Sequence, residues 1–245
     1  MTNKWFNMSA AANAAPAHIS IYSDIGAGGV TAAAFEKELR GLGKPKALDL
    51  HISCNGGDVF QGTAIHSMLA RLKANGTRIT TYVDGVALSM GSLIAMVGDD
   101  IIMPANAIMM IHNPAGAALG TAEDVREMAD VLDRLAEGMA TVYAARSGKT
   151  MAQVQAIMAA ETWYTAAEAV AAGFATQVVG AVDIAAKVPE GRYQHTPAGL
   201  VAPKTVGDLV ARYSPGQHSL RRVHGNVVKM AEGYWANRAR KAGAK

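Results

Sequence analysis

The chain has 245 residues, half of them hydrophobic, which is enough to bury one full core with an appended segment. A single cysteine, Cys54, excludes an internal disulfide framework and fits a reducing, cytoplasmic compartment, and no window approaches the roughly 18 consecutive apolar residues of a membrane helix. The net charge of +3 hides an asymmetry: residues 187–245 hold eleven Lys/Arg and three Asp/Glu, leaving twelve and seventeen for the rest, so an acidic body carries a basic tail.

Residues 1–17 are polar at Asn3, Asn7, Ser9 and Asn13, too much so for a signal peptide, and read as a flexible lead. Strands are predicted at 19–22 and 47–52, with a helix over 31–42 between them. Ile65, Met68, Leu69 and Leu72 space a helix over 63–73, and Asn75-Gly76 marks the turn before a buried strand at 79–83. A buried helix follows at 93–97, and a strand at 107–111 ends on His112. The clearest element runs from Thr121 to about Arg146, opened by a capping-box-like Thr121/Asp124 pair. Its apolar stripe is Val125, Met128, Leu132, Leu135, Met139 and Val142, and Ser147-Gly148 ends it. Past residue 182 periodicity fades, with short helices predicted only at 206–212 and 227–238. Strands alternating with helices imply an α/β domain with a mainly parallel sheet.

Ser89 lies where a strand gives way to a helix, a place where a hydroxyl can be presented with helix amides beside it for an oxyanion. A serine needs a base within hydrogen-bond reach, and His112 is the best placed. His66 falls mid-helix, His51 in a strand, and His195, His218 and His224 in the irregular tail. Glu161 supplies a carboxylate for the third role of a hydrolytic triad, with Asp84, Asp99 and Asp100 as alternatives. Cys54 reads as a buried, inert thiol. No metal cluster, phosphate loop or nicotinamide fingerprint is present, so no cofactor is expected.

Ser-Met-Gly at 89–91, Met-Ile-His-Asn-Pro at 110–114, the run from Glu161 to Gly173 and Gly-Gly-Asp-Val at 56–59 resemble, in consistent order over residues 18–182, the blocks of the ClpP peptidases. The resemblance implies a spiral of repeated β-β-α units, shared with the crotonases, and a catalytic Ser89, His112 and Glu161. It further implies an oxyanion hole of the Gly57 and Met90 amides. Val59 and the strip Asn113, Pro114, Ala115 and Gly116 would receive a peptide as an added strand. The helix after His112 would be the handle that joins rings of a homo-oligomer. Two departures stand out: Glu161 occupies a position usually held by aspartate, and Ser53-Cys54-Asn55-Gly56-Gly57 lacks the proline of the usual Asn-Ser-Pro-Gly-Gly.

These readings converge on a serine endopeptidase acting on protein or peptide substrates. Asp58, the Glu-Thr-Trp opening at 161–163 and the strand at 18–22 resemble most the phage head-maturation (prohead) branch, working in the infected bacterial cytoplasm or the prohead interior. The alternative is the proteolytic subunit of an ATP-dependent Clp-type protease fed by an AAA+ unfoldase. A serine–lysine peptidase is disfavoured because no lysine lies between Lys73 and Lys149. An acyl-CoA enzyme of the crotonase type and a non-enzymatic capsid-associated scaffold are the outsiders. The domain is expected at 18–182. The basic tail, 183–245, is expected to be mobile or to dock on capsid or scaffold proteins, without nucleic-acid or membrane binding.

Overall fold

A computed structural model describes residues 6–9, 16–182, 188–189, 191–197 and 200. The elements in chain order are β1 (Phe6–Ser9), β2 (Ala17–Ile21), α1 (Ala32–Gly41), β3 (Ala47–Cys54), α2 (Val59–Ala74), β4 (Arg78–Leu88) and α3 (Met90–Ala95). They continue with β5 (Asp100–Pro104), β6 (Ile108–Ile111), α4 (Ala122–Ser147), α5 (Met151–Ala159), β7 (Thr162–Thr165), α6 (Ala166–Ala171) and β8 (Gln177–Val179). The short helices predicted at 206–212 and 227–238 lie outside the described residues. The described residues of 6–116 and 127–200 make one compact unit, and 117–126 belong to a second.

The expected α/β architecture is present. One sheet runs in the order β1-β2-β3-β4-β5-β8, parallel throughout except for β1 against β2. Alternate residues of β3 are buried, so Leu48, Leu50, Ile52 and Cys54 face the core with Ile19, Ile21, Ile79 and Val83 of the neighbouring strands. Phe35 of α1 and Ile65 and Leu69 of α2 close over that face with no exposed surface.

β4 is longer than the predicted 79–83 and serves two partners. Thr80–Tyr82 pair with β5, while Val86–Leu88 pair with β6. The sheet therefore branches at β4, and β7 adds antiparallel to β6 on the branch. This branch carries the residues of interest.

Helix boundaries follow their caps. α2 starts at Val59 rather than 63 because the Asp58 carboxylate accepts from the Gln61 amide at 2.9 Å. Reciprocal capping boxes start α5 (Thr150/Gln153) and α6 (Thr165/Glu168). The Thr121/Asp124 pair forms as expected, with Thr121 N to Asp124 Oδ2 at 2.6 Å and Asp124 N to Thr121 Oγ1 at 3.3 Å. In α4 only Met139, Ala140 and Tyr143 are buried. Val125 and Val131 are exposed, and Leu132 and Leu135 are half-buried.

Two stretches outside residues 18–182 meet the sheet. Residues 6–9 add as a strand to β2, whose outer edge would otherwise leave its amides and carbonyls unpaired. Beyond residue 182 the described residues return to the sheet. Val188 is fully buried against Val86, Leu88 and Met110, its amide donates to the Leu200 carbonyl at 2.9 Å, and Tyr193 and Leu200 pack on the same cluster. The β4–β6 branch exposes an apolar face that this stretch covers.

Phe174 joins α4 to the branch, with ring centroids 6.0 Å from Tyr143 and 5.4 Å from Tyr164. Phe174→Ala should destabilise the fold by about 3–5 kcal/mol, as truncation of a fully buried aromatic does. Urea denaturation checks this.

Candidate active site

Strand register assembles the site. Leu88 of β4 stands opposite Met110 of β6, and one step on, the Ser89 amide donates to the Met110 carbonyl at 2.9 Å. Ser89 therefore leaves β4 beside the end of β6, where His112 follows Ile111. The two side chains meet, with Ser89 Oγ and His112 Nε2 2.8 Å apart. On the other side of β6, Ile111 pairs with Thr162 of β7, which sets Glu161 at the same end of the branch. The three residues read from the sequence as a triad are thus brought to one locus from three segments.

The backbone at this locus is strained. Ser89 has φ 52° and Glu161 φ 47°, and among the described residues no other non-glycine has positive φ. Such conformations cost of order 1–3 kcal/mol each and persist only where the surroundings impose them. At Ser89 the surroundings are explicit. The buried Ser92 hydroxyl lies 2.7 Å from the Ser89 carbonyl, 2.8 Å from the Met110 carbonyl and 2.8 Å from the Tyr143 hydroxyl. Tyr143 is fully buried, and burial pushes its phenol pKa well up, so it remains a neutral donor. Sequence reading took Tyr143 neither as part of the α4 stripe nor as part of the site.

The glycine pair is a steric requirement. A Cβ on Gly56 would lie 2.7 Å from the Ser89 Cβ and 2.9 Å from the Leu88 carbonyl oxygen, and one on Gly57 would lie 2.0 Å from the Ile25 carbonyl oxygen. Both have positive φ, 92° and 142°. The loop can press against Ser89 without proline because its backbone is pinned otherwise. Ile25 N donates to Gly56 O at 2.8 Å, and Asp58 N to Ile25 O at 3.0 Å. Met90 opens α3, so its amide has no partner within the helix. Cys54 is buried beneath this loop, and burial raises its thiol to about 12, which leaves it inert at neutral pH.

Burial lowers the pKa of His112 below the ordinary 6.5, and the nearby Glu161 charge partly opposes this. The ring is therefore neutral at pH 7 and can accept a proton from Ser89. At Glu161 burial works against ionisation. Amide donors from His195 and Gln194, the Trp163 indole and His112 outweigh it, so the carboxyl sits below its usual range. No hydrogen bond joins Glu161 to His112. Glu161 Oε1 accepts from His195 N at 2.6 Å and Trp163 Nε1 at 3.3 Å, and Oε2 from Gln194 N at 3.0 Å.

The rival residues lie elsewhere. Asp84 holds His51 (2.7 Å) and Tyr22, Asp99 pairs with Lys73 (2.9 Å), and Asp100 pairs with Arg78. His66 is on α2, and His195 is exposed in the segment beyond β8. His218 and His224 lie outside the described residues. Of the expected peptide-receiving strip, Pro114 is half-buried and Asn113, Ala115 and Gly116 are exposed. The Asn113 amide donates to the Met158 carbonyl at 3.1 Å, and Val59 is half-buried at the start of α2. Among the described residues no group of His, Cys, Asp or Glu could hold a metal ion, and no helix is long and apolar enough to cross a membrane.

The family described as Clp protease matches residues 18–182. The chain is 33 % identical over 132 residues to the ATP-dependent Clp protease proteolytic subunit 1 of Leifsonia xyli, covering 53 % of this chain and 65 % of that one. It is 30 % identical over 132 residues to subunit 2 of Tropheryma whipplei (53 % and 71 %) and 31 % identical over 135 residues to subunit 2 of Rhodococcus jostii (54 % and 67 %). The matched part thus spans about two thirds of these relatives.

The His112 environment predicts a pH profile. Any activity that needs neutral His112 should have the midpoint of its acid limb below pH 6.5, because the ring's pKa is depressed. Glu161→Gln removes the charge that opposes the depression, so the acid limb should move further down. The pH dependence of kcat/KM in both proteins checks the sign.

Proposed function

This chain belongs to the Clp protease family, and we propose that it is a serine endopeptidase with Ser89 as nucleophile, His112 as general base and Glu161 as the orienting carboxylate. The observation that carries the reading is the 2.8 Å contact between Ser89 Oγ and His112 Nε2 at a strained strand-to-helix turn. Ser89 Oγ attacks the scissile carbonyl while His112 takes its proton. The resulting oxyanion is held by the amides of Gly57 and Met90, and collapse passes the proton to the leaving amine. Water then hydrolyses the acyl-enzyme by the reverse use of His112. Asn113, Pro114, Ala115 and Gly116 on one side and Val59 on the other receive the substrate backbone as an added strand.

The surface of α4 supports assembly of copies of the chain. Val125 and Val131 are exposed with Leu132 and Leu135 half-covered beside them, and apolar surface left in water is unfavourable by about 25 cal/mol per Å². The relatives are named as subunits, which favours a ring of identical copies. Their names also favour work with an ATP-dependent partner. Asp58 and the 18–22 and 161–163 blocks favour head maturation, with capsid or scaffold proteins as substrates. Digestion of a folded protein that requires an added AAA+ unfoldase and ATP would favour the first reading, and cleavage of a capsid or scaffold protein by the chain alone the second.

Ser89→Ala should lower peptide turnover by about 10⁴–10⁶-fold, the range for loss of a triad nucleophile, with folding unchanged by circular dichroism. Retention of more than a tenth of the wild-type rate would overturn the assignment. Leu132→Asp with Leu135→Asp should dissociate the assembly by light scattering. A wild-type chain that is monomeric and fully active would contradict the ring.

A further inference from the structure

The stretch from Val188 to Leu200 reaches the catalytic residues as well as the apolar branch beneath them. Tyr193 stands edge-on to His112, with ring centroids 5.3 Å apart and planes at 85°, and edge-on to Trp163 at 5.7 Å and 76°. Its hydroxyl donates to the carbonyl of Asn55, the residue before the Gly56-Gly57 pair. Beside it, the Arg192 guanidinium pairs with Asp24 at 2.5 Å, next to the Ile25 backbone that pins the glycine loop. On the other flank the main-chain amides of Gln194 and His195 donate to both oxygens of Glu161. Three consecutive residues thus contact the loop, the imidazole and the carboxylate of one site, and Val188 and Leu200 anchor the two ends on each other and on the branch.

The consequence is chemical as well as steric. A triad carboxylate acts by accepting from the imidazole N–H, which fixes the tautomer and stabilises imidazolium. Here Glu161 is engaged by Trp163 and by the strap amides, and makes no hydrogen bond to His112. The Tyr193 ring meanwhile packs on the imidazole that must hand a proton to the leaving amine. Building on the endopeptidase reading, we propose that residues 191–197, anchored by Val188 and Leu200, are an intrachain inhibitor: Tyr193 packed on His112 and the Gln194 and His195 amides on Glu161 hold the site closed until the strap is displaced.

The contacts made at the catalytic residues themselves are two amide hydrogen bonds and one edge-on ring pair, and a peptide lying along the site would compete for the same partners.

The test is the rate constant for phosphonylation of the full-length chain by a fluorophosphonate, with turnover of a fluorogenic peptide in parallel. Tyr193→Ala should raise both rates by at least tenfold. Arg192→Ala, which releases the strap at Asp24 without touching the triad, should raise them too, and Tyr193→Phe should fall between wild type and Tyr193→Ala. A rise in rate is not an outcome that partial unfolding produces. Unchanged or slower reaction of both Tyr193→Ala and Arg192→Ala, with wild type reactive, overturns the strap and leaves the nucleophile assignment standing. Absence of reaction in every form, with folding intact, overturns the endopeptidase reading and the strap with it.

Discussion

A single backbone hydrogen bond, from the Ser89 amide to the Met110 carbonyl, sets the geometry on which the site depends. It extends the β4–β6 ladder one residue past the Leu88–Met110 pair and so decides which side chain of the next segment Ser89 meets. β6 carries the second constraint on its other edge, where the antiparallel ladder to β7 fixes Glu161 relative to Ile111. Because side chains alternate along a strand, a slip of one residue in either ladder would turn His112 or Glu161 to the opposite face. Both registers are shared by one four-residue strand that is buried along most of its length. Glu161 is therefore coupled to the Ser89–His112 pair through the branch of the sheet rather than through a hydrogen bond of its own.

The branch also explains where strain is kept. Ser89 and Glu161 both have left-handed backbones, at the same end of the branch, one just after β4 and the other just before β7. Behind Ser89, the hydroxyls of Ser92 and Tyr143 lie against two carbonyls in a site with no exposed surface, where loss of a partner is costly. Behind that network stands α4, whose C-terminal half is buried at Met139, Ala140 and Tyr143 and whose N-terminal half is not. One helix thus braces the strained turn from within and offers an uncovered apolar stretch outside.

Much of this was legible in the residues. Ser89, His112 and the glycine pair stand at breaks between apolar runs, and breaks of that kind survive into the fold as turns. The capping box of α4 is a strong local signal and forms as expected, whereas of the stripe only Met139 is buried. What escaped notice lacked a local signal. β5, β7 and β8 are three to five residues long, too short to show a period, and β4 was cut short in the reading because Asp84 and Gly85 interrupt its apolar pattern. Tyr143 counted as one more residue of a helix, and its hydroxyl acquires meaning only against Ser92. The docking of Val188, Tyr193 and Leu200 was missed for a different reason: composition says that a basic, proline-broken stretch cannot form a core of its own. It does not say that Val188, Tyr193 and Leu200 suffice to cover an apolar face that another part of the chain leaves open.

The central claim is that the strained turn presents a nucleophile to a neutral imidazole. Mass spectrometry of the full-length chain after fluorophosphonate treatment, with the adduct mapped by peptide sequencing, tests it most directly. The account predicts one adduct per chain, on Ser89, abolished by His112→Ala and slowed as pH falls below 6.5. An adduct on another residue, or labelling of Ser89 that is indifferent to His112→Ala, would contradict it.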